Sequence, residues 1–190
     1  PEYEAYGISW NEHDIRIEME REAVILIKKL WTEPTVNFTG KYYQLKNAYL
    51  EPKPLQKHHP QIFVTGESPK TKEVVCEVAD GWNMGGGSPN QIKEKINSVK
   101  QVLHPKGKHI KYAVSEIAYL GANHEEAEKK ARPFLENRKQ LSWMEGIIGS
   151  PEECIGKIEQ YIDAGADHLV LGFRPTLEEI RLFGEEIIPP

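Results

Sequence analysis

The chain has 190 residues, enough for one domain with a sizeable core. Hydrophobic residues make up 39% and no apolar run approaches a spanning length, which argues against disorder and against a membrane protein. Acidic residues outnumber basic ones, 29 to 24, for a net charge of −5, and no basic stripe with interleaved aromatics is present, so no nucleic-acid partner is expected.

Pro1 to Gly7 reads as a polar, aromatic-rich connection. The chain begins at Pro1, already inside patterned sequence, as a fragment of a longer protein does. From Asn11 or Asp14 to Trp31, Ile15, Met19, Ala23, Ile27 and Leu30 recur at three- and four-residue steps, which predicts an amphipathic helix stopped by Pro34. Val36 to Leu45 predicts a small hairpin turning at Thr39-Gly40. Tyr49 to Pro60 is too punctuated by proline for helix or central strand and reads as an extended lead. His58-His59 has no third ligand at zinc-like spacing, so no metal site is expected.

His59 to Met84 is the most informative stretch. Gln61 to Thr65 is a short β-branched run closed by Gly66, the mark of a buried strand. Ser68 is a favoured N-cap, Pro69 suits the first helical position, and the helix runs to about Asp80-Gly81 before a second strand starts at Trp82. Carboxylates are expected in a helix's first turn, yet here Lys70 and Lys72 occupy it. A cation there costs roughly 0.3 to 1 kcal/mol unless an anion offsets it. Backbone N–H groups, the Ser68 and Thr71 hydroxyls and two ammonium groups suit a phosphate; a solvated lysine pair on a surface helix is the alternative.

Beyond Met84, Gly85-Gly86-Gly87 serves either a close backbone approach to a ligand or a flexible connection to the next helix, which Ser88-Pro89 opens and which runs to about Leu103. Lys111 to Leu120 predicts a strand. Its Glu116 has two readings: a carboxylate projecting into a cleft to meet substrate, or an edge-facing or salt-bridged glutamate. His124 to about Leu141 reads as a charged helix with Pro133 inside it, and Ser142 to Gly149 as a loop. Ser150-Pro151-Glu152-Glu153 is a capping box opening a helix that ends at Ala164-Gly165. Asp167 to Gly172 predicts the last strand and Thr176 to Ile188 the terminal helix.

The rhythm is α/β: after the segment 1–60, four strand-helix units fill 61–190, as expected of one domain with parallel strands. No Gly-x-Gly-x-x-Gly follows any strand, which argues against a dinucleotide fold. A closed (β/α)₈ barrel needs about eight such units and about 250 residues, so the chain supplies half of one. Cys76 and Cys154, far apart and each inside a helical pattern, fit a reducing cytoplasm better than a disulfide.

Pro1-Glu2-Tyr3-Glu4-Ala5-Tyr6-Gly7, Leu30-Trp31-Thr32-Glu33, Gly40-Lys41-Tyr42-Tyr43 and Glu51-Pro52-Lys53-Pro54-Leu55-Gln56 follow one another as in the bacterial-luciferase-like flavin monooxygenases. Ala79-Asp80-Gly81-Trp82-Asn83, Gly149-Ser150-Pro151-Glu152-Glu153 and Asp163-Ala164-Gly165-Ala166-Asp167-His168 continue the match. The sequence resembles that family over nearly its whole length. The family includes luciferase, alkanesulfonate monooxygenases and reductases that use the deazaflavin coenzyme F420. The resemblance implies a TIM (β/α)₈ barrel with an insertion segment, here only its C-terminal half, with strands five to eight beginning at Gln61, Trp82, Lys111 and His168. It implies FMN or coenzyme F420 as cofactor and a small-molecule substrate. It also implies that Gly66, Glu67 and Ser68 hold the cofactor phosphate, with Thr71 contributing.

Because the family's first four strands have no counterpart here, the resemblance assigns no catalytic residue. Asn83, Glu116 and Arg174, at strand ends or within strands, are candidates for the ring side of the pocket. Arg174 is also the rival phosphate site, since many barrels bind phosphate after strands seven and eight. The expected function is a flavin- or deazaflavin-dependent oxidoreductase. A non-catalytic flavin-binding or assembly half-barrel module is the alternative, and either one calls for a homo-oligomer or a missing N-terminal half to cover the open strand edges.

Overall fold

The computed structural model describes residues 2–103, 107–136, 144–173 and 176–188. The chain divides into two compact units, 1–81 and 82–190.

The first unit opens with α1 (Glu2–Ala5), a single turn where the sequence predicted only a connection. Glu2 and Glu4 sit at its N-terminal end, where the helix dipole favours carboxylates. The long helix α2 (His13–Thr32) forms where predicted, but the side chains it buries are Ile17 and Val24, while Ile15 and Ile27 of the predicted face are exposed. The last carbonyls of a helix lack intrahelical donors, and here Lys53 Nζ supplies them, 2.8 Å from the oxygens of Leu30 and Glu33. The hairpin pairs β1 (Val36–Thr39) with β2 (Gln44–Ala48) antiparallel, extending past the predicted end at Leu45. Its turn is clamped by Glu22 of α2, whose carboxylate accepts the backbone N–H groups of Lys41, Tyr42 and Tyr43 at 2.7, 2.9 and 3.2 Å.

β3 (Phe63–Thr65) starts two residues later than predicted, because Asp80 takes the backbone of Ile62. The Asp80 carboxylate accepts from Ile62 N at 2.9 Å, and the Ile62 carbonyl accepts from Asp80 N and Gly81 N. α3 (Pro69–Val78) begins where Ser68 and Pro69 predicted and buries Thr71, Val74, Val75 and Cys76.

The second unit alternates β4 (Gly81–Gly85), α4 (Pro89–Leu103), β5 (Lys111–Leu120), α5 (His124–Glu136), β6 (Ile147–Gly149), α6 (Pro151–Asp163), β7 (His168–Gly172) and α7 (Thr176–Glu186). β5 is the central strand: beside β4, it pairs parallel with β7 over Ala113–Ile117 and with β6 over Ala118–Leu120. The parallel pairing is what the strand-helix rhythm requires. β6 corrects the reading of 142–149 as a loop; a strand of three residues, the last of them Gly149, is too short to show a period. Residues 137–143, the end predicted for α5, lie outside the described residues. α4 turns Ile92, Ile96, Val99 and Leu103 inward, four positions on one helical face, toward a core that includes Trp82, Met84, Val114, Ala118 and Tyr161.

Candidate functional site

In the first unit, the predicted phosphate turn lies between β3 and α3. Gly66 has φ +135°, a conformation that side chains rarely adopt, and a Cβ on it would stand 2.9 Å from the Thr71 methyl and 3.2 Å from its hydroxyl. Ser68 is extended (φ −64°, ψ 151°) and its hydroxyl oxygen accepts from Thr71 N at 3.1 Å, capping the helix. The Ser68 and Thr71 hydroxyls are 2.8 Å apart, and His13 Nε2 of α2 stands 3.3 Å from Ser68 Oγ. Thr71 is 2% exposed, beneath the turn, while Glu67 faces solvent. The anion that offsets Lys70 is in the chain itself: Asp14 of α2 forms an ion pair with it. The unusual charge at this helix start therefore has an internal partner, which the sequence argument, confined to one helix, could not see.

In the second unit, Glu116 departs from the edge-facing or salt-bridged reading. It is 1% exposed on the central strand, and among the described residues it forms no ion pair. One carboxylate oxygen accepts from Gly87 N at 2.9 Å and from Glu145 N at 3.4 Å; the other accepts from Gly146 N at 2.9 Å. The Tyr161 hydroxyl lies 2.8 Å from the Gly87 carbonyl and 3.2 Å from Glu116, a proton shared between two acceptors. Burial, with the Glu116 carboxylate beside it, pushes the Tyr161 phenol well above its ordinary value. Asn83 meets Ser115, whose hydroxyl donates to Asn83 Oδ1 at 3.0 Å. Arg174 lies outside the described residues. Among the described residues no three His, Cys, Asp or Glu side chains form a metal-holding group. No described helix is long and apolar enough to cross a membrane.

Residues 1–146 match the family described as luciferase-like monooxygenase, more than half of the chain. The chain belongs to that family. An FMNH(2)-dependent dimethylsulfone monooxygenase of Pseudomonas putida is 26% identical over 99% of this chain and 62% of its own length. The chain thus spans less than two thirds of that relative. A long-chain alkane monooxygenase structure superposes with a TM-score of 0.80 at 18% identity, over 98% of this chain and 58% of its own. An F420-dependent secondary alcohol dehydrogenase, solved with an F420-acetone adduct, gives 0.72 at 21% identity, over 94% and 63%. These likenesses show the fold, part of a TIM barrel of the luciferase-like type.

Most of the luciferase-like motifs read from the sequence prove to be structural ties. Lys53 in Glu51-Pro52-Lys53-Pro54 joins Leu30 and Glu33 of Leu30-Trp31-Thr32-Glu33. In Gly40-Lys41-Tyr42-Tyr43, the three backbone N–H groups after Gly40 bond to Glu22, and a Cβ on Gly40 would stand 2.3 Å from that carboxylate. Asp167 accepts from Lys111 Nζ at 2.6 Å and from Tyr112 N at 2.9 Å, fixing the start of β7 against β5.

Proposed function

We propose that the chain is part of an FMN- or F420-dependent oxidoreductase of the monooxygenase type, acting on a small organic molecule, with the cofactor's phosphate held by Gly66, Glu67, Ser68 and Thr71. The observation that carries the activity is the luciferase-like match over residues 1–146, together with relatives named for FMNH(2) and F420. The phosphate position is supported by the turn itself. Gly66 has no Cβ, and the place one would take lies against Thr71, so the Thr71 hydroxyl packs directly on the backbone of the turn. Ser68 accepts the Thr71 N–H, and the bond between the Ser68 and Thr71 hydroxyls uses one of their two protons, which leaves the other to donate. The first N–H groups of α3 and its dipole favour negative charge at this point. A bound flavin or deazaflavin supplies the redox chemistry; the protein binds and orients it. The same reading takes residues 1–190 as one partial-barrel domain in a cytoplasmic enzyme, completed by an N-terminal half or a second copy. The 51% exposure of Val170 on β7 and two buried cysteines that form no disulfide accord with it.

Titration of the purified chain with FMN, and separately with F420, tests the proposal through quenching of cofactor fluorescence. Saturable quenching by one of them, followed by bleaching of that chromophore with NAD(P)H or another donor, is the expected result. Absence of binding by either cofactor overturns the proposal, and binding without reduction by any donor overturns its catalytic part.

A further inference from the structure

Glu116 is a buried carboxylate that no part of the proposed cofactor site uses. Its four donors come from segments far apart in sequence: Gly87 in the loop leaving β4, Glu145 and Gly146 ahead of β6, and Tyr161 on α6. The fit is close. A Cβ on Gly86 would stand 2.0 Å from a Glu116 oxygen, so only glycine lets the loop lie against the carboxylate. Gly87 (φ +138°) and Gly146 (φ +86°) take backbone conformations that turn their N–H groups inward. Lys95 Nζ, 3.4 and 3.3 Å from the Gly85 and Gly86 carbonyls, holds the loop's other side. A carboxylate accepts only, and here each oxygen meets donors, so the arrangement is satisfied as it stands.

We propose that Glu116 is a positioning residue: it latches the Gly86-Gly87 loop and the Glu145-Gly146 turn into one unit, so that the two segments open and close together. The loop it fixes leaves the C-terminal end of β4, and ligands of a TIM barrel bind at the C-terminal ends of its strands. The inference rests on the barrel fold and not on the flavin reading, and it is tested without a cofactor.

The test is amide hydrogen exchange on the chain, comparing wild type, Glu116→Gln and Gly86→Ala. Glutamine keeps the shape but sets an NH₂ group against the backbone donors on one side, either Gly87 and Glu145 or Gly146. Exchange in the segments 85–88 and 144–148 should rise tenfold or more, while residues 113–115 of β5 keep their protection. Gly86→Ala should reproduce the pattern, including faster exchange at Gly146, which bonds to the other carboxylate oxygen. A rise confined to 85–88 in Gly86→Ala overturns the latch. A uniform rise across β5 assigns Glu116 a merely structural role and overturns it also, as does unchanged exchange in both variants. Should Glu116→Gln fail to fold, Gly86→Ala read in the same way decides.

Discussion

Lys28 Nζ lies 2.6 Å from the Asp80 carboxylate, joining the last turns of α2 to the residue that closes α3 onto β3. His59 Nδ1 stands 3.8 Å from the same carboxylate. Burial alone would raise the Asp80 pKa, but the bonds from Lys28 and Ile62 N outweigh it and hold it below the ordinary 3.8. A carboxyl with a folded pKa below its unfolded value stabilises the fold above the unfolded value, and that contribution disappears as pH falls through the folded one. Asp167 is held low in the same direction, where the Lys111 and Tyr112 bonds outweigh burial.

Urea unfolding as a function of pH should therefore show stability falling as pH drops below about 3.8, with a shallower fall in Asp80→Asn. At neutral pH the variant should lose about 1 to 2 kcal/mol, in line with a hydrogen-bonded charge that is partly solvated. An acid limb of unchanged steepness in Asp80→Asn contradicts this assignment.

Gly81→Ala would place a methyl carbon 2.3 Å from the Phe63 ring. Overpacking of this kind costs about 1 to 3 kcal/mol. Thermal or urea unfolding should show that loss, and Phe63→Leu in the same chain should recover part of it. A loss equal to the sum of the two single changes would show that the ring is not what meets the methyl.

Lys53→Met should destabilise the chain by about 1 to 2 kcal/mol, because α2 loses a charged donor to its final carbonyls while the aliphatic stem is kept. Lys53→Arg should lie between the two. Denaturant midpoints at constant m-value read the effect directly.

Cys76 and Cys154 are buried and not joined in a disulfide, and burial together with the Glu153 charge pushes the Cys154 thiol up to about 11. Thiolates are the reactive species, so at mildly alkaline pH Cys154 should not react with a thiol reagent in the native chain, and Cys76, 2% exposed, should be shielded by its burial. Both should react in denaturant. Fast native labelling at Cys154 would contradict its packing.

Fold class and element order were legible because each helix carries a clear period or cap and each long strand an apolar run. α2 showed its extent but not its face, since Ile17 and Val24 are buried while Ile15 and Ile27 are exposed; Ser68 and Ser150 announce their helices before a proline. The misreadings are short or set by distant partners. β6 has three residues, and the start of β3 is shifted by a carboxylate 18 positions away. Asp14 beside Lys70 and Tyr161 beside Glu116 were illegible for the same reason: the partners are 56 and 45 positions apart, beyond any local pattern. A glutamate inside an otherwise apolar strand was a signal that Glu116 matters, but not what it holds.

The most direct test of the cofactor site is the affinity of Thr71→Val for FMN and for riboflavin, which lacks the phosphate. Valine keeps the shape of a side chain 2% exposed and leaves the Ser68 cap oxygen in place, removing only the hydroxyl 2.8 Å from Ser68. A hydrogen bond to a charged group is worth about 1.5 to 3 kcal/mol, so FMN affinity should fall about tenfold or more. Riboflavin affinity should barely change. Equal losses for both ligands, or none for either, would contradict a phosphate held at Gly66 to Thr71.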